Sequence, residues 1–260
     1  MYQYIEIFNN QIPTYAIMVL IGIFTCGIII KKTIKNESEF NIILELLLFS
    51  LLGAFVFSHL LYFIVNYELF IRFITNFYRI DSFGMFINSL KVLFGGSVFY
   101  GGLLGALLTA FIYCKRKRLN FSNYANIIAP FIPLFHFFGR IGCFLGGCCY
   151  GIESKIGLRY PVYVDGILEY KNIFPIQLVE ASLNMILFVI LYKLYKKGKE
   201  NLLMIYLISY SIIRFILEFF RGDEARGFLM GLSTSQFISL IIFTCCMVIL
   251  IRKKIIKKAP

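Results

Sequence analysis

The amino-acid sequence predicts an all-α, polytopic membrane protein with seven transmembrane helices, its N-terminus outside and its C-terminus in the cytoplasm. Three observations carry that prediction. First, hydrophobic residues make up 59% of the 260-residue chain and charged residues only 15%, with a mean hydropathy of +0.79. That leaves too little polar surface for a water-soluble globule. Second, apolar runs long enough to cross a bilayer as helix, about 17 to 25 residues each, recur from end to end. Third, lysine and arginine collect in every second connection between those runs.

The runs fall at about Ile12–Ile30, Ile42–Val65, Leu93–Tyr113, Ala125–Phe144, Ile176–Tyr195, Leu202–Phe220 and Gln236–Ile251. Before the first, residues 1–10 carry no basic side chain and the run itself is of spanning length, so the segment reads as a retained span and not as a cleaved signal peptide. The two longest connections, residues 66–92 and 145–175, follow spans two and four, and loops of that length in a compact domain tend to be functional. Within the first of them Phe70–Phe86 is apolar with Arg72, Arg79 and Asp81 spaced along it, the pattern of an interfacial helix. No hydrophilic domain, low-complexity tract or internal repeat interrupts the series. Residues 1–260 therefore read as a single integral membrane domain.

Orientation follows from charge. Of the 26 basic residues, sixteen lie after spans one, three and five or in the C-terminal tail: Lys31, Lys32, Lys35; Lys115, Arg116, Lys117, Arg118; Lys193, Lys196, Lys197, Lys199; Arg252, Lys253, Lys254, Lys257 and Lys258. Only Glu37, Glu39 and Glu200 offset them, whereas the other side is close to neutral. The positive-inside rule makes the basic side cytoplasmic, so connections 66–92 and 145–175 are external. Topology and attraction to anionic lipid account for the net charge of +12, leaving no reason to expect nucleic-acid binding.

Ionisable residues inside a span are costly and point to function. Span six carries Arg214, Glu218 and Arg221 at i, i+4 and i+7, which places all three on one helical face. One carboxylate cannot neutralise two guanidiniums, so a further anion must come from a ligand or from another helix, with Glu180 of span five and Glu45 of span two as candidates. A structural ion-pair network is the alternative reading. Gln177 and Glu180 share a face near the outer end of span five. Span three opens with Gly95-Gly96-Ser97-Val98-Phe99-Tyr100-Gly101-Gly102, poor in side chains, where close helix packing and approach of a lipid tail are both possible. At the outer end of span four, residues 139–151 hold five glycines and Arg140, a planar donor fork suited to phosphate.

His59 and His136 are the only histidines, one each in spans two and four, and read as hydrogen-bonded core residues. Cys143, Cys148 and Cys149 have neither a histidine nor a second cysteine pair at zinc-like spacing, so no metal site is expected. Vicinal Cys148 and Cys149 are open to redox chemistry or to pairing with Cys143. Cys26, Cys114, Cys245 and Cys246 read as small apolar fillers.

Four motifs in order give the chain a resemblance to the bacterial prolipoprotein diacylglyceryl transferase family, from about span two to span seven. They are Tyr100-Gly101-Gly102-Leu103, Gly139-Arg140-Ile141-Gly142 with Gly147 and Gly151, Pro175-x-Gln177-Leu178-x-Glu180, and Arg214-Phe-x-x-Glu218-Phe-Phe-Arg221. The resemblance implies an enzyme of the bacterial plasma membrane, working at the outer leaflet without metal or other cofactor. It would transfer the diacylglyceryl group of phosphatidylglycerol to the lipobox cysteine of a preprolipoprotein peptide, the first step of lipoprotein maturation. On that likeness Arg140, Arg214, Glu218, Arg221 and Tyr100 form the catalytic set, and Gly101, Gly102, Gly142, Gly151, Gln177 and Glu180 line the substrate, with Arg140 on the lipid phosphate. Four departures stand out. Tyr100 occupies the place of the family's histidine, Cys143 and Gly146 stand where asparagines are usual, Cys148 stands where a carboxylate is usual, and His59 stands at or beside the place of the arginine usual in span two. A membrane transferase with another lipid or thiol acceptor, and a non-enzymatic headgroup binder or transporter, are the competing readings.

Overall fold

The computed structural model describes residues 3–7, 10–96, 98–164, 167–222, 228–229 and 231–258. In chain order its elements are β1 (Tyr4–Ile7), β2 (Asn10–Pro13), α1 (Thr14–Thr33), α2 (Glu37–Val65), α3 (Tyr67–Thr75), α4 (Phe83–Phe94), α5 (Phe99–Arg116), α6 (Phe121–Ile128) and α7 (Phe131–Gly146). They continue with β3 (Glu153–Val164), β4 (Ile167–Ile173), α8 (Ile176–Lys196), α9 (Leu202–Leu217), β5 (Phe228–Leu229), β6 (Leu232–Ser233) and α10 (Thr234–Lys258). Single 3₁₀ turns follow α3 at Phe77–Arg79 and α9 at Glu218–Phe220.

The protein is mostly helical and polytopic. Among the described residues five helices are long and apolar enough to cross a membrane, namely α1, α2, α8, α9 with its 3₁₀ turn, and α10. The pair α6 and α7 makes a sixth if counted as one span, bent by 41°. Large apolar side chains face outward along these helices, among them Phe24 at 68% and Phe55 at 66% exposure. Such a surface is tolerable only where the solvent is hydrocarbon.

Several expectations change. The helical expectation holds for most of the chain, but among the described residues three antiparallel hairpins interrupt it, β1–β2, β3–β4 and β5–β6. The longest, β3–β4, occupies the connection 145–175, in register from Leu158 opposite Ile173 to Val164 opposite Ile167. The predicted fourth span is bent where Pro130 stands between α6 and α7, since proline lacks an amide hydrogen and crowds the preceding turn. The predicted third span is divided between Phe94 and Phe99. A Cβ on Gly95 would collide with the Lys91 carbonyl oxygen, and one on Gly96 with the Tyr62 ring. The expected helix at Phe70–Phe86 is two helices, α3 and α4, with Ser82 capping α4 through the Met85 amide at 3.2 Å.

The chain packs as two compact units, Met1–Lys32 with Ala125–Pro260, and Thr33–Tyr124. In the first, α7 packs on α8, α8 on α9 and α9 on α10, while α1 lies against α7. Gly22 of α1 meets Phe135 and Phe138, and Gly142 of α7 meets Tyr15 and Met18. Leu187, Leu191, Leu202, Tyr206 and Tyr210 form a buried cluster between α8 and α9. In the second unit α2 packs along α5. Lipid tails are as apolar as these side chains, so close packing and polar links, not water exclusion, join spanning helices.

Candidate active site

The site is built on the first unit by α7, α8 and the end of α9. Each helix delivers one charged residue to a common seam. Arg140 from α7 donates from Nη2 to Glu180 Oε1 of α8 at 3.0 Å. Arg214 from α9 lies with Nη1 3.9 Å from the other oxygen of Glu180 and with Nη2 2.8 Å from Glu218 Oε2. Arg221 Nη1 lies 3.9 Å from the same Glu218 oxygen. Glu180 is thus the second anion that the span-six ladder required. The other candidate, Glu45, belongs to the second unit, where it takes a 2.7 Å hydrogen bond from Tyr113 and pairs with Lys117 at 3.2 Å.

Burial sets the energetics. Side-chain exposure is 17% for Arg140, 7% for Arg214 and 3% for Glu180, so Arg140 is not the surface guanidinium that its position at a span end suggested. Buried charges survive only when paired and hydrogen-bonded. Around Glu180 this is done by the two arginines and by Tyr210, whose hydroxyl donates at 3.3 Å. Arg214 also donates from Nη2 to Ser235 Oγ of α10 at 3.2 Å. Its Nη1 finds no hydrogen-bond acceptor among the described residues. The cluster therefore holds an N–H donor that an incoming anion could use.

The ladder on span six is not one continuous helix. The α-helix ends at Leu217, a 3₁₀ turn carries Glu218, and Arg221 is extended at φ −84°, ψ 138°. Its backbone pairs with Gly151 as an isolated antiparallel bridge. Around that bridge Ile152 donates to the Phe220 carbonyl at 3.0 Å and Gly222 to the Tyr150 carbonyl at 3.0 Å. A Cβ at Gly151 would strike the Phe174 carbonyl oxygen and lie 2.9 Å from that of Phe220. Glycine here lets three strands of backbone meet, which ties the 145–175 connection to the end of α9.

Gln177 is fully enclosed and donates from Nε2 to the Cys148 carbonyl at 2.8 Å and to the Tyr160 hydroxyl at 3.1 Å. It thereby pins both the chain leaving α7 and the β3–β4 hairpin. Burial pushes the Tyr160 phenol up to about 12, so it stays protonated. The Cys149 thiol is held well below its ordinary range, first by thiol hydrogen bonds from Cys143 and Cys148 and then by the Arg140 and Arg221 charges. The sulfurs of Cys143, Cys148 and Cys149 all lie within 4.8 Å of one another, a convergence that their spacing did not disclose.

Of the remaining expected residues, Gly142 lies on α7 where it faces Tyr15 and Met18 of α1, and it serves that helix contact. Tyr100, Gly101 and Gly102 belong to the second unit, at the start of α5. The Tyr100 side chain lies outside the described residues. A Cβ on Gly101 would meet the Phe57 carbonyl oxygen and lie 2.8 Å from Leu61 Cβ, and one on Gly102 would be 3.4 Å from the Ala54 carbonyl oxygen. These two glycines serve the packing of α5 on α2.

Residues that sequence reasoning passed over complete the seam. Tyr206 and Tyr210 stand two turns and one turn before Arg214, and His136 one turn before Arg140. Tyr206 and His136 Nδ1 are 3.4 Å apart. The i, i+4 series Tyr206, Tyr210, Arg214, Glu218 was the available signal, because residues four apart share a helix face.

With this geometry in place, comparison with known proteins is informative. The family described as prolipoprotein diacylglyceryl transferase matches residues 3–252. A phosphatidylglycerol–prolipoprotein diacylglyceryl transferase of Clostridium tetani is 32% identical over 243 residues, covering 90% of each chain. One of Rickettsia bellii is 34% identical over 242 residues, 87% of this chain and 84% of the relative. A Clostridium perfringens protein of the same name, numbered 2, is 32% identical over 247 residues, 91% and 89% of the two chains. The chain belongs to the prolipoprotein diacylglyceryl transferase family and is a transferase.

Proposed function

We propose that this family member moves the diacylglyceryl group of phosphatidylglycerol onto the thiol of a preprolipoprotein lipobox cysteine. The sulfur, as thiolate, attacks the glyceryl carbon that carries the phosphate. A C–S bond forms, the C–O bond breaks, and glycerol phosphate leaves with the bonding electron pair. The thiol proton passes to a base. Phosphate charge rises from one to two in this step, so the site must stabilise an anion more strongly at the transition state than in the bound lipid.

The observation that carries the reading is the buried Arg140–Glu180–Arg214 cluster with the unaccepted Arg214 Nη1. Donors fixed in a dry site before the reaction cost no reorganisation when charge develops. Arg140 takes the lipid phosphate, Arg214 and Arg221 take the charge of the departing oxygen, and Glu180 and Glu218 hold the guanidiniums in place. Gln177 keeps the chain after α7 against the hairpin. Tyr100 positions the acceptor; a phenol, ordinarily titrating near about 10, already carries its proton at neutral pH and is not the main proton acceptor.

The proposal extends to topology. Seven spans, with α5 as the third, form one membrane domain in the bacterial plasma membrane. The N-terminus is outside, the C-terminus is cytoplasmic, and the site opens to the outer leaflet. The lysine and arginine distribution supports this. The partners are phosphatidylglycerol, the lipobox peptide and surrounding lipid, with no role for nucleic acid.

The test is incubation of the purified protein with phosphatidylglycerol and a lipobox peptide, read by mass spectrometry. The peptide should gain one diacylglyceryl group while glycerol phosphate appears in equal amount. Folded protein that yields neither product, beside a family member that yields both, would contradict the proposal.

A further inference from the structure

We infer that Cys143, Cys148 and Cys149 form a three-thiolate site for a thiophilic d¹⁰ metal ion, with Zn²⁺ as the physiological choice. The three sulfurs lie within 4.8 Å of one another. A tetrahedral zinc with Zn–S bonds of about 2.3 Å sets sulfur–sulfur separations near 3.8 Å, so closing on an ion needs adjustments of about 1 Å or less. Three soft ligands select zinc or copper(I) over hard cations.

The backbone is shaped to bring the sulfurs together. Gly147, at φ 77°, alone ends α7 in the left-handed conformation. Cys149 is left-handed as well, at φ 56°, where a residue with a side chain is uncommon and the backbone is strained. Capping does not need it. Cys148 folds back on the helix, with its amide 3.1 Å and its sulfur 3.7 Å from the Cys143 carbonyl oxygen. Cys143 is buried, Cys149 partly so, and Cys148 exposed, which gives an ion both an enclosed seat and a way in.

A disulfide would use two of these sulfurs and leave the third idle, whereas a metal uses all of them. Three thiolates and Zn²⁺ carry a net charge of −1, and the Arg140 and Arg221 guanidiniums are close enough to interact with the cluster. Three protein ligands leave a fourth position for water or an exogenous ligand. The site adjoins the transfer seam but its existence does not depend on the transfer reaction.

The experiment uses the purified full chain, reduced with a phosphine and desalted without oxygen. Zn²⁺ or Cd²⁺ is added, unbound ion is removed, and metal per chain is measured together with the cadmium–thiolate ultraviolet band. One ion per chain with the band is expected. In Cys148→Ser, an exposed position, retention should fall at least tenfold, and in Cys245→Ser it should be unchanged. The inference is overturned by three results: no ion retained with all seven thiols titratable, equal retention in Cys148→Ser, or a disulfide within the trio in protein that takes up no ion after reduction. Transfer activity is not the readout, so a failed metal test leaves the transferase reading standing, and the reverse holds too.

Discussion

The seam between α7, α8 and α9 and the seam between α2 and α5 solve the same problem in opposite ways. Along α2 and α5 the helices close by losing side chains. A Cβ on Gly105 would strike the Gly53 carbonyl oxygen and lie 2.5 Å from Phe57 Cβ, and one on Gly53 would strike Thr109. The polar groups there are locally answered: Thr109 donates to the Gly105 carbonyl at 2.8 Å, and His59 Nδ1 is 2.8 Å from that of Gly96. Along α7, α8 and α9 the helices close on buried charge, and Arg214 Nη1, 3.9 Å from Glu180 Oε2, finds no hydrogen-bond acceptor among the described residues. One contact is closed by backbone approach, and the other is held by buried charge. That difference is why the phosphate site is proposed at the second.

Changing Glu180 should have the largest effect. Glu180→Leu leaves two buried guanidiniums short of an anion, and breaking a buried pair costs about 3–5 kcal/mol. Thermal unfolding in detergent should show the loss. A variant as stable as wild type would mean that Glu180 does not hold the seam. Next, Gly105→Leu should destabilise the second unit by at least about 1–3 kcal/mol through overpacking. If its unfolding temperature were unchanged, the α2–α5 seam would not be close-packed as described.

Smaller effects sharpen the contrast. Tyr100→Phe should slow transfer by less than about tenfold, or about 1.4 kcal/mol; complete loss at unchanged stability would make the hydroxyl a principal catalytic group. Gly139, beside Arg140 on α7, has no atom within 4 Å of a Cβ placed there. Gly139→Ala should therefore fold as well as wild type or gain up to about 1 kcal/mol. If transfer fell in that stable variant, the space at Gly139 would belong to the substrate.

Much of this was legible in the sequence, and what was not has physical causes. Apolar length located the five helices long and apolar enough to span, and the bent pair α6–α7, because a bilayer imposes that length. The same signal is blind to a break inside an apolar run, so the interruptions at Gly95-Gly96 and Pro130 were merged into straight spans. The β3–β4 hairpin was passed over although Asp165-Gly166 lies between two strand-like runs, a strong hairpin signal in sequence. Arg140, Arg214, Glu218 and Arg221 were readable because charge in an apolar segment is rare. Their partner Glu180 could only be narrowed to two candidates, since the choice depends on which helices touch. The three thiols stayed hidden because two left-handed residues, not ligand spacing, bring them together.

The most direct test of the central claim, that the α7–α8–α9 seam is the phosphate site, compares Arg140→Lys with wild type in the lipobox-peptide assay. Lysine keeps the charge beside Glu180 but loses the two-pronged donor geometry. Folded protein with transfer lowered about 100-fold or more is expected, the scale of losing one preorganised donor. Wild-type transfer in folded Arg140→Lys would contradict it.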